Sequence, residues 1–357
     1  MLPNIAEKVM RRDRSDAKTG ADAPWLSILI PVYNVAPWLR ECVMSIIAQG
    51  VDDGVEILLL DDCSTDESLE ICRELVERYP KTIGYLVHER NAGLSATRND
   101  LMHYAAGKHI WFLDSDDYLL DGAIDELRSI ITLHDPDMVI CDYRKRRSLF
   151  KKSFPGFTRR YSVNQQNLIC GVFKYRKMYA WLRIVRRSLW DGLQFPVGKT
   201  FEDIATTPYL LLRTQSYYYA PRGWVYYRIR SNSVMTAATR TRNFFHESSN
   251  DDMATALLDY KAALENHFGT IDPKMAFSIA HFIAKEYVKM AQRFAKADNV
   301  SLRVNNTEGN VTLRSYYDKM AASSPMSFEL LQREYLKRLN FWNYFALRRA
   351  VGLATRI

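Results

Sequence analysis

The chain of 357 residues carries 49 lysines and arginines against 41 aspartates and glutamates, a formal net charge of +8. Hydrophobic residues make up 47% and charged residues 25%, a balance that allows a sizeable core and about two domains and argues against disorder throughout. The five cysteines are odd in number and show no CxxC spacing, which argues against a disulfide framework or a structural zinc site and favours a reducing cytosol.

The N-terminal segment is polar up to the first apolar run. Residues 1–24 are predicted to be a flexible N-terminal arm, because charges are mixed there with Gly20 and Pro24, and Met1 to Met10 could form a short helix. The segment lacks the apolar stretch of a signal peptide, and no apolar run approaches the ~18–20 residues of a spanning helix. We therefore expect a cytoplasmic protein, soluble or attached at most to a membrane surface.

Strand and helix patterns alternate from residue 25 to residue 143. Short runs of β-forming apolar residues predict five buried strands, at 26–32, 56–60, 83–88, 109–113 and 137–141. Helical spacing of apolar residues predicts the helices between them, at 38–49, 67–79, 94–106 and from Asp121 or Gly122 onward. Continuous apolar strands that alternate with helices indicate an α/β fold, a mainly parallel sheet with helices on both faces.

The second half has a different character. A basic stretch covers about residues 144–160, and strands are predicted near 217–219 and 224–227. Residues 241–357 are predicted to be a mostly helical C-terminal extension. Its helical periodicity is clearest in three segments, at 251–268, 274–296 and 328–355.

Asp114-Ser115-Asp116 follows the fourth strand directly and is the strongest candidate for chemistry. Hard divalent cations prefer carboxylate oxygens, and Mg2+ often bridges a carboxylate to a substrate diphosphate. A solvated acidic turn is the alternative. A second acidic pair, Asp61-Asp62, follows the second strand. Since ligands of such sheets bind beyond the carboxyl ends of the strands, we expect both clusters at one edge, which favours the metal site.

The segment from Asp62 to Asp66 is a candidate for base recognition. The Asp62 carboxylate can accept the imide N–H of uracil, whereas Ser64, Thr65 and Asp66 are suited to capping the next helix. We expect both roles to hold, because they use different side chains of the segment.

The segment from Asn91 to Asn99 links the third strand to a helix. Gly93 and Ala96 would let a ligand approach the backbone closely, and Arg98 could neutralise a phosphate. A plain loop leading into a helix N-terminus explains Asn91 and Gly93 equally well, so this segment adds little by itself.

Four segments taken in order resemble the signature of glycosyltransferase family 2: Ser27 to Asn34, Asp61 to Asp66, Asn91 to Asn99 and Phe112 to Asp117. The resemblance covers about residues 25–120 well. It extends more loosely to Glu202-Asp203 and to Arg230 to Ser233. Four matches in one order make the resemblance specific for the first third of the chain.

The family resemblance implies a fold and an activity. The fold would be GT-A, with a catalytic domain at 25–240 whose residues 25–143 form the nucleotide-sugar half and 144–240 the acceptor half. The activity would be inverting, metal-dependent transfer of a hexosyl or N-acetylhexosaminyl group from a nucleotide sugar to an acceptor hydroxyl. UDP is the favoured nucleotide, and the product would belong to a surface polysaccharide or a glycolipid.

The same resemblance implies roles for single residues. Ten positions would contact the donor: Pro31, Tyr33, Asn34, Asp62, Asn91, Gly93, Arg98, Asp114, Ser115 and Arg230. Asp62 would lie on the base, and Asp116 with Asp114 would bind Mg2+ or Mn2+. Asp203, helped by Glu202, would act as the general base of one in-line displacement. Acids that suit the dipole at a helix N-terminus are the alternative for this last pair.

The C-terminal segment from Tyr335 to Ile357 mixes basic, aromatic and aliphatic residues and contains no acid. Such a helix can lie on an anionic membrane surface at the inner face of the cell membrane, or it can pack on the catalytic domain with its charges solvated. The expected partners are a nucleotide-sugar donor, a glycan or lipid-linked glycan acceptor and, through this helix, an anionic membrane.

Two other classes of protein are alternatives. A sugar-nucleotide nucleotidyltransferase shares the layered fold, but it would need a Gly-rich basic loop where Pro31 to Asn34 stand. A nucleic-acid-binding protein is suggested only by the net charge of +8, and no nucleic-acid motif accompanies it. We therefore expect no nucleic-acid partner.

Overall fold

The computed structural model describes residues 5–9, 23–51, 54–145, 160–229, 247–301 and 307–354. The chain divides into two compact units. Unit 1 comprises Met1–Asn164, Tyr179–Gly198 and Arg213–Ile229, and unit 2 comprises Gln165–Met178, Lys199–Leu212 and Arg230–Ile357. Two segments that we placed in the catalytic domain, Gln165–Met178 and Lys199–Leu212, thus group with the C-terminal helices.

Unit 1 contains one sheet, to which all ten described strands belong. The strands are β1 Ile5–Val9, β2 Leu26–Val32, β3 Val55–Asp61, β4 Ile83–His88, β5 His109–Phe112, β6 Tyr118–Leu119, β7 Met138–Arg144, β8 Arg160–Ser162, β9 Arg183–Arg186 and β10 Tyr217–Tyr226. Their order is β1-β4-β3-β2-β5-β9-β7-β10-β6, and β8 pairs with β10.

The strands β2 to β5 run parallel to one another, as the alternation of strands and helices predicted. β9 lies antiparallel between β5 and β7, in a segment where no strand was predicted. The predicted α/β fold with a helical C-terminal region is confirmed. Because parallel strands end at the same edge of a sheet, the loops that follow β2, β3 and β5 are neighbours there.

The N-terminal strand β1 corrects one expectation. Residues 5–9 were expected to be helical, but they pair antiparallel with the edge strand β4, where Val9 lies opposite Tyr85. Pairing with a free strand edge satisfies the backbone N–H and C=O groups that a short isolated helix would leave exposed. Residues 1–4 and 10–22 of the expected arm lie outside the described residues.

Four helices of unit 1 join the strands: α1 Ala36–Ile47, α2 Ser68–Arg78, α3 Leu94–Tyr104 and α4 Ala123–His134. Leu39, Val43 and Ile46 repeat at helical spacing on α1 and are fully buried in the core. Burial of side chains of this size stabilises the fold by roughly 1.5–3 kcal/mol each. All residues of β2 and β3 are buried as well, which explains why these strands are continuous apolar runs.

A buried polar group fixes the start of β5 against β2. Ser27 donates its hydroxyl to Glu56 at 2.5 Å, and the same oxygen accepts the Gly107 N–H at 2.8 Å. A Cβ at position 107 would lie 2.5 Å from the Ser27 nitrogen, so only glycine fits there. This contact fixes the position of β5 relative to β2, and with it the position of the acidic residues that follow β5.

Unit 2 is helical throughout its described part. The helices are α5 Gln165–Tyr175, α6 Glu202–Arg213, α7 Glu247–Thr255, α8 Tyr260–Phe268, α9 Pro273–Ser301, α10 Thr307–Ser323, α11 Phe328–Lys337 and α12 Phe341–Ala354. α9 is central, and its Tyr287 hydroxyl donates to the Ala350 carbonyl of α12 at 3.2 Å. Within the described residues, no helix has both the length and the apolar character needed to cross a bilayer.

Two segments of unit 2 were each predicted to be a single helix, and each contains two helices in the structure. The segment 251–268 is interrupted between α7 and α8, and the segment 328–355 is interrupted between α11 and α12. At the second break Leu339 adopts a positive φ of 53°, which ends α11, and Asn340 accepts the N–H of Asn343 at the start of α12. Apolar periodicity continued across both breaks, so it did not reveal them.

Candidate active site

Three carboxylates meet in the loop after β5 and form the acidic cluster, Asp114, Asp116 and Asp117. Each offers an oxygen that lies within 4.8 Å of the others. The Asp117 N–H donates to the Asp114 carbonyl at 2.9 Å, which closes a tight turn and turns neighbouring side chains toward one point. The structure thus brings together the predicted pair, Asp114 and Asp116, and adds a third carboxylate.

Asp117 is the member that the sequence prediction missed. Its side chain is buried, one oxygen accepts the Arg228 N–H at 2.8 Å, and the other oxygen is buried without a hydrogen-bond partner among the described residues. Burial, with the charge of Asp114 adding to it, raises the pKa of Asp117 to about 9. The run of carboxylates in the sequence was the available signal, and burial distinguishes Asp117 from a solvated acid.

Arg228, just after β10, contacts the loop that carries the acidic cluster. Its Nε donates to the Asp116 carbonyl at 2.9 Å, and its guanidinium pairs with Glu41 at 2.9 Å. The same group lies 5.3 Å from the centre of the Tyr118 ring. These contacts join β10 to the loop after β5. The predicted donor residue Arg230 lies outside the described residues.

Arg98 lies under the cluster on α3. Its side chain is buried between the rings of Phe112 and Phe195, and it donates to Asp114 at 3.3 Å. A buried cation beside a carboxylate offsets part of the negative charge of the cluster. Ser115, also buried, lies within the same turn. Contact of Arg98 and Ser115 with a donor stays a prediction.

Asp62, after β3, lies at the same edge, where it organises the loop before α3. Its carboxylate accepts the N–H groups of Ala92 at 2.7 Å and Gly93 at 2.8 Å. The Asn91 side chain donates to the Asp62 carbonyl at 3.3 Å. Gly93 has a φ of +85°, a conformation that glycine adopts without strain. The three predicted donor residues Asp62, Asn91 and Gly93 are therefore brought together, and contact with a base stays a prediction.

His88 is a second residue that the sequence prediction missed. Its buried ring lies between two carboxylates, with Nδ1 2.7 Å from Asp62 and Nε2 2.9 Å from Asp100. Burial alone lowers the pKa of His88, but the hydrogen bonds to Asp100 and Asp62 outweigh it and raise the pKa to about 9. The protonated ring therefore ties β4 to α3 and to the Asp62 loop. The sequence showed only a lone histidine at a strand end.

Asn34 joins the loops after β2 and β3. Its side-chain oxygen accepts the Thr65 N–H at 2.8 Å, and its own N–H donates to Ser64 at 3.1 Å. The prediction that Ser64 and Thr65 cap α2 is wrong, since Glu67 is the N-cap residue of α2 and Ser64 accepts from Asn34 instead. The Asp66 side chain contacts the start of both helices, because it accepts the N–H of Ala36 on α1 and that of Ser68 on α2.

Two other predicted donor residues lie in the same region. Pro31 is a buried residue of β2 opposite Leu60, and its contact with a donor stays a prediction. Tyr33 is exposed at the edge directly after β2, where a ligand can reach its ring. We call the loops after β2, β3 and β4 the nucleotide-side loops, after the donor contact that is predicted for their residues. Together they carry Tyr33, Asn34, Asp62, Asn91 and Gly93.

Glu202 and Asp203 occupy the first turn of α6 in unit 2, and both are half-buried. The preceding segment is anchored, because Thr200 donates its N–H to Asp252 at 2.9 Å and Lys199 pairs with the same carboxylate at 2.9 Å. Acidic residues in a first helical turn suit the helix dipole. Their role as general base and helper stays a prediction.

The acidic cluster and the loops after β2, β3 and β4 lie at one carboxyl edge of the sheet, which is where ligands of such sheets bind. Residues 27–185 match the model of the family described as Glycosyl transferase family 2. This segment, somewhat less than half of the chain, contains the four ordered motifs that resemble the family. The match includes the nucleotide-side loops and the acidic cluster, so both lie in the segment that defines the family.

Named relatives show the same family over parts of the chain. The glycosyltransferase GlyA of Streptococcus pneumoniae is 26% identical over 72% of this chain and 38% of its own length. The minor teichoic acid biosynthesis protein GgaB of Bacillus subtilis is 25% identical over 62% of this chain and 25% of its own length. The chain thus spans between a quarter and about two fifths of the length of these relatives.

Solved structures share the fold. S. aureus TarS 1-349 in complex with UDP-GlcNAc superimposes with a TM-score of 0.64 at 18% identity, over 92% of this chain and 91% of that chain. The mannosyltransferase PcManGT from Pyrobaculum calidifontis, in complex with GDP-Man and Mn2+, gives a TM-score of 0.52 at 16% identity, over 94% and 88% of the two chains. The predicted GT-A fold is confirmed at this level.

Proposed function

We propose that the chain is an inverting, metal-dependent glycosyltransferase that moves a sugar from UDP to a hydroxyl of a cell-envelope glycan. The observation that carries the proposal is the acidic cluster, in which three carboxylates offer oxygens within 4.8 Å of one another. Its place at the same sheet edge as the nucleotide-side loops supports a ligand that spans both.

The acidic cluster fits Mg2+ or Mn2+. Its donors are carboxylate oxygens, which hard divalent cations prefer, and the buried Asp117 oxygen has no partner among the described residues. Asp116 and Asp114 would hold the ion, with Asp117 below them. When bound, such an ion stabilises negative charge on a departing diphosphate as a Lewis acid.

The proposed step forms one bond and breaks one bond. The acceptor hydroxyl oxygen attacks the anomeric carbon from the face opposite the nucleotide, and the bond to the β-phosphate oxygen breaks, leaving UDP with the electron pair. Asp203, with Glu202 as helper, takes the proton of the hydroxyl. Asp62 and the other nucleotide-side residues, with Arg98, Ser115 and Arg230, hold the donor during the step.

The relatives support the choice of donor and product. The TarS structure contains UDP-GlcNAc, and GgaB is named for teichoic acid biosynthesis. On this chain we therefore propose a UDP-sugar donor, a glycan or lipid-linked glycan acceptor, and work at the cytoplasmic face of the cell membrane. Nucleic acid has no part in the proposed reaction.

The last helix supports attachment to an anionic membrane. On α12 the side chains of Trp342 and Phe345 are 86% and 60% exposed, and the exposed Arg348 and Arg349 lie one turn further along. Aromatic side chains flanked by cations fit the interface of an anionic bilayer. Sedimentation with phosphatidylglycerol vesicles should fall when Trp342 and Phe345 are replaced by Ser. It should stay unchanged in a Leu133→Ser control; equal sedimentation of all three proteins contradicts the docking.

One assay tests the central proposal. The purified chain is incubated with a panel of nucleotide sugars and Mn2+ or Mg2+, and nucleoside diphosphate release is measured with and without EDTA. Release of UDP that EDTA abolishes supports the proposal. Pyrophosphate formed from UTP and a sugar phosphate would instead assign a nucleotidyltransferase. Salt-sensitive oligonucleotide binding without turnover would assign a nucleic-acid-binding protein.

A further inference from the structure

Four aromatic side chains of unit 1 form a continuous aromatic slab, Tyr143, Tyr179, Trp181 and Tyr227. The Trp181 ring stacks on Tyr179 at 5.3 Å and 26°, and on Tyr227 at 5.7 Å and 9°. Tyr143 contacts the edges of the stack, with its ring centre 5.0 Å from Trp181 and 5.9 Å from Tyr227. Edge contacts of this kind hold the stacked rings in fixed orientations.

The slab lies beside the acidic cluster. Tyr227 directly precedes Arg228, whose N–H donates to Asp117 at 2.8 Å. Burial, together with the charges of Asp117, Asp116 and Asp114, raises the pKa of Tyr227. A ligand that extends from the acidic cluster along β10 therefore meets this group of rings.

The sheet order places the slab on the side away from the nucleotide. The nucleotide-side loops follow β2, β3 and β4, on one side of β5 in the order β4-β3-β2-β5-β9-β7-β10. The slab residues lie in β7, in the segment just before β9 and directly after β10, on the other side of β5. Since the acidic cluster follows β5, it separates the two regions, and the slab faces the half of the edge that a donor nucleotide leaves open.

One ring of the slab is open to solvent. Trp181 is buried, whereas Tyr179 is 41% exposed. Trp181 is fixed by its buried packing, and its carbonyl accepts the Trp111 indole N–H at 3.1 Å. Because Tyr179 stacks on Trp181, the Tyr179 ring is held in place without any ligand.

An exposed and rigid aromatic face beside a transfer site suits one chemical class of ligand. The axial C–H groups of a pyranose form an apolar face that packs on an aromatic ring, while its hydroxyls remain hydrated at the edge. Resting on the proposed function, we propose that the Tyr179 face of the slab binds a pyranose ring of the acceptor. An acyclic polyol has no such face and would not bind there.

Saturation-transfer NMR on the full chain tests this binding directly. The probes are methyl β-D-glucopyranoside, methyl N-acetyl-β-D-glucosaminide and, as the acyclic comparison, ribitol. The variants are Tyr179→Ala and Tyr179→Phe. Tyr161→Ala is the matched control, since Tyr161 is 43% exposed and stacks on His134 at the β8 edge.

The expected result is a pyranoside signal from the ring C–H face that is kept in Tyr179→Phe and in the control. In Tyr179→Ala the dissociation constant should rise about tenfold. Absence of any pyranoside signal in the wild type, an equal signal from ribitol, or unchanged binding in Tyr179→Ala would each overturn the proposal.

A donor measurement in the same samples separates this proposal from the proposed function. UDP binding and hydrolysis of UDP-GlcNAc without acceptor should be equal in the wild type and Tyr179→Ala, because the ring lies away from the nucleotide-side loops. If the wild type neither binds nor hydrolyses any UDP-sugar but still binds the pyranosides, the proposed function fails and the pyranose site stands. Loss of UDP binding in Tyr179→Ala would place the ring on the donor and overturn the acceptor assignment.

Discussion

Two groups of carboxylates lie at one edge of the sheet and are treated in opposite ways by the fold. After β3, Asp61 accepts the Ser64 N–H at 3.0 Å, and Asp62 accepts two backbone N–H groups and pairs with His88. After β5, the acidic cluster brings oxygens of three carboxylates within 4.8 Å of one another.

The difference distinguishes carboxylates that hold loops in place from carboxylates that would bind the proposed cation. Carboxylates bonded to backbone N–H groups hold loops in place, and their loss costs stability. Crowded carboxylates repel one another, and a bound divalent cation relieves that repulsion. Substitutions after β3 should therefore affect stability most, and substitutions after β5 should affect activity most.

The largest expected effect is on activity, in Asp116→Asn. Metal-dependent UDP release should fall on the order of 100-fold or more, because a metal ligand is lost while the shape of the side chain is kept. Thermal unfolding should occur at the wild-type temperature or above it, because repulsion in the cluster is reduced. The exposed Asp121→Asn is the matched control. Full activity of Asp116→Asn would remove this residue from the site.

The next effect is on stability, in Asp62→Asn. An amide cannot accept all the hydrogen bonds of Asp62 or pair with the His88 ring, so the free energy of unfolding should fall by about 3 kcal/mol. Urea unfolding followed by circular dichroism measures this change. If the variant is as stable as the wild type, Asp62 does not stabilise the fold and the contrast between the two acidic groups fails.

A pH series on His88 sharpens the same comparison. Because the pKa of His88 rises from an ordinary 6.5 to about 9 in the fold, its contribution to stability is complete below about pH 6.5 and is lost as pH rises through about 9. The difference in unfolding free energy between wild type and His88→Gln should shrink on the order of 2 kcal/mol between about pH 6 and pH 9. A difference that stays constant would show that the ring is neutral between Asp62 and Asp100.

The smallest expected effect belongs to Asn34→Ala. The variant loses the acceptor for Thr65 and places alanine at a φ of 51°, so the free energy of unfolding should fall by about 1 kcal/mol. Donor affinity should weaken more than stability, since the loops after β2 and β3 lose a direct link. Isothermal titration with UDP measures the affinity, and an unchanged value would confine Asn34 to a structural role.

The sequence predicted the parallel half of the fold because its strands are apolar over their whole length and its helices have clear periodicity. It also predicted that Asp114 and Asp116 act together, because they follow a buried strand and a second acidic pair was expected at the same edge. Asp117 and His88 depend on burial and on partners distant in sequence, which no local pattern contains. The helix breaks near Leu339 and after Thr255 were missed because apolar spacing continues across them.

Direct measurement of Mn2+ by electron paramagnetic resonance tests the central claim, that the acidic cluster binds a divalent cation together with a UDP-sugar. We expect the wild type to remove free Mn2+ from solution, more strongly with UDP present. We expect Asp116→Asn to bind far less Mn2+, while UDP alone still binds weakly. Equal Mn2+ binding by the wild type and Asp116→Asn, or UDP binding that EDTA leaves unchanged, would contradict it.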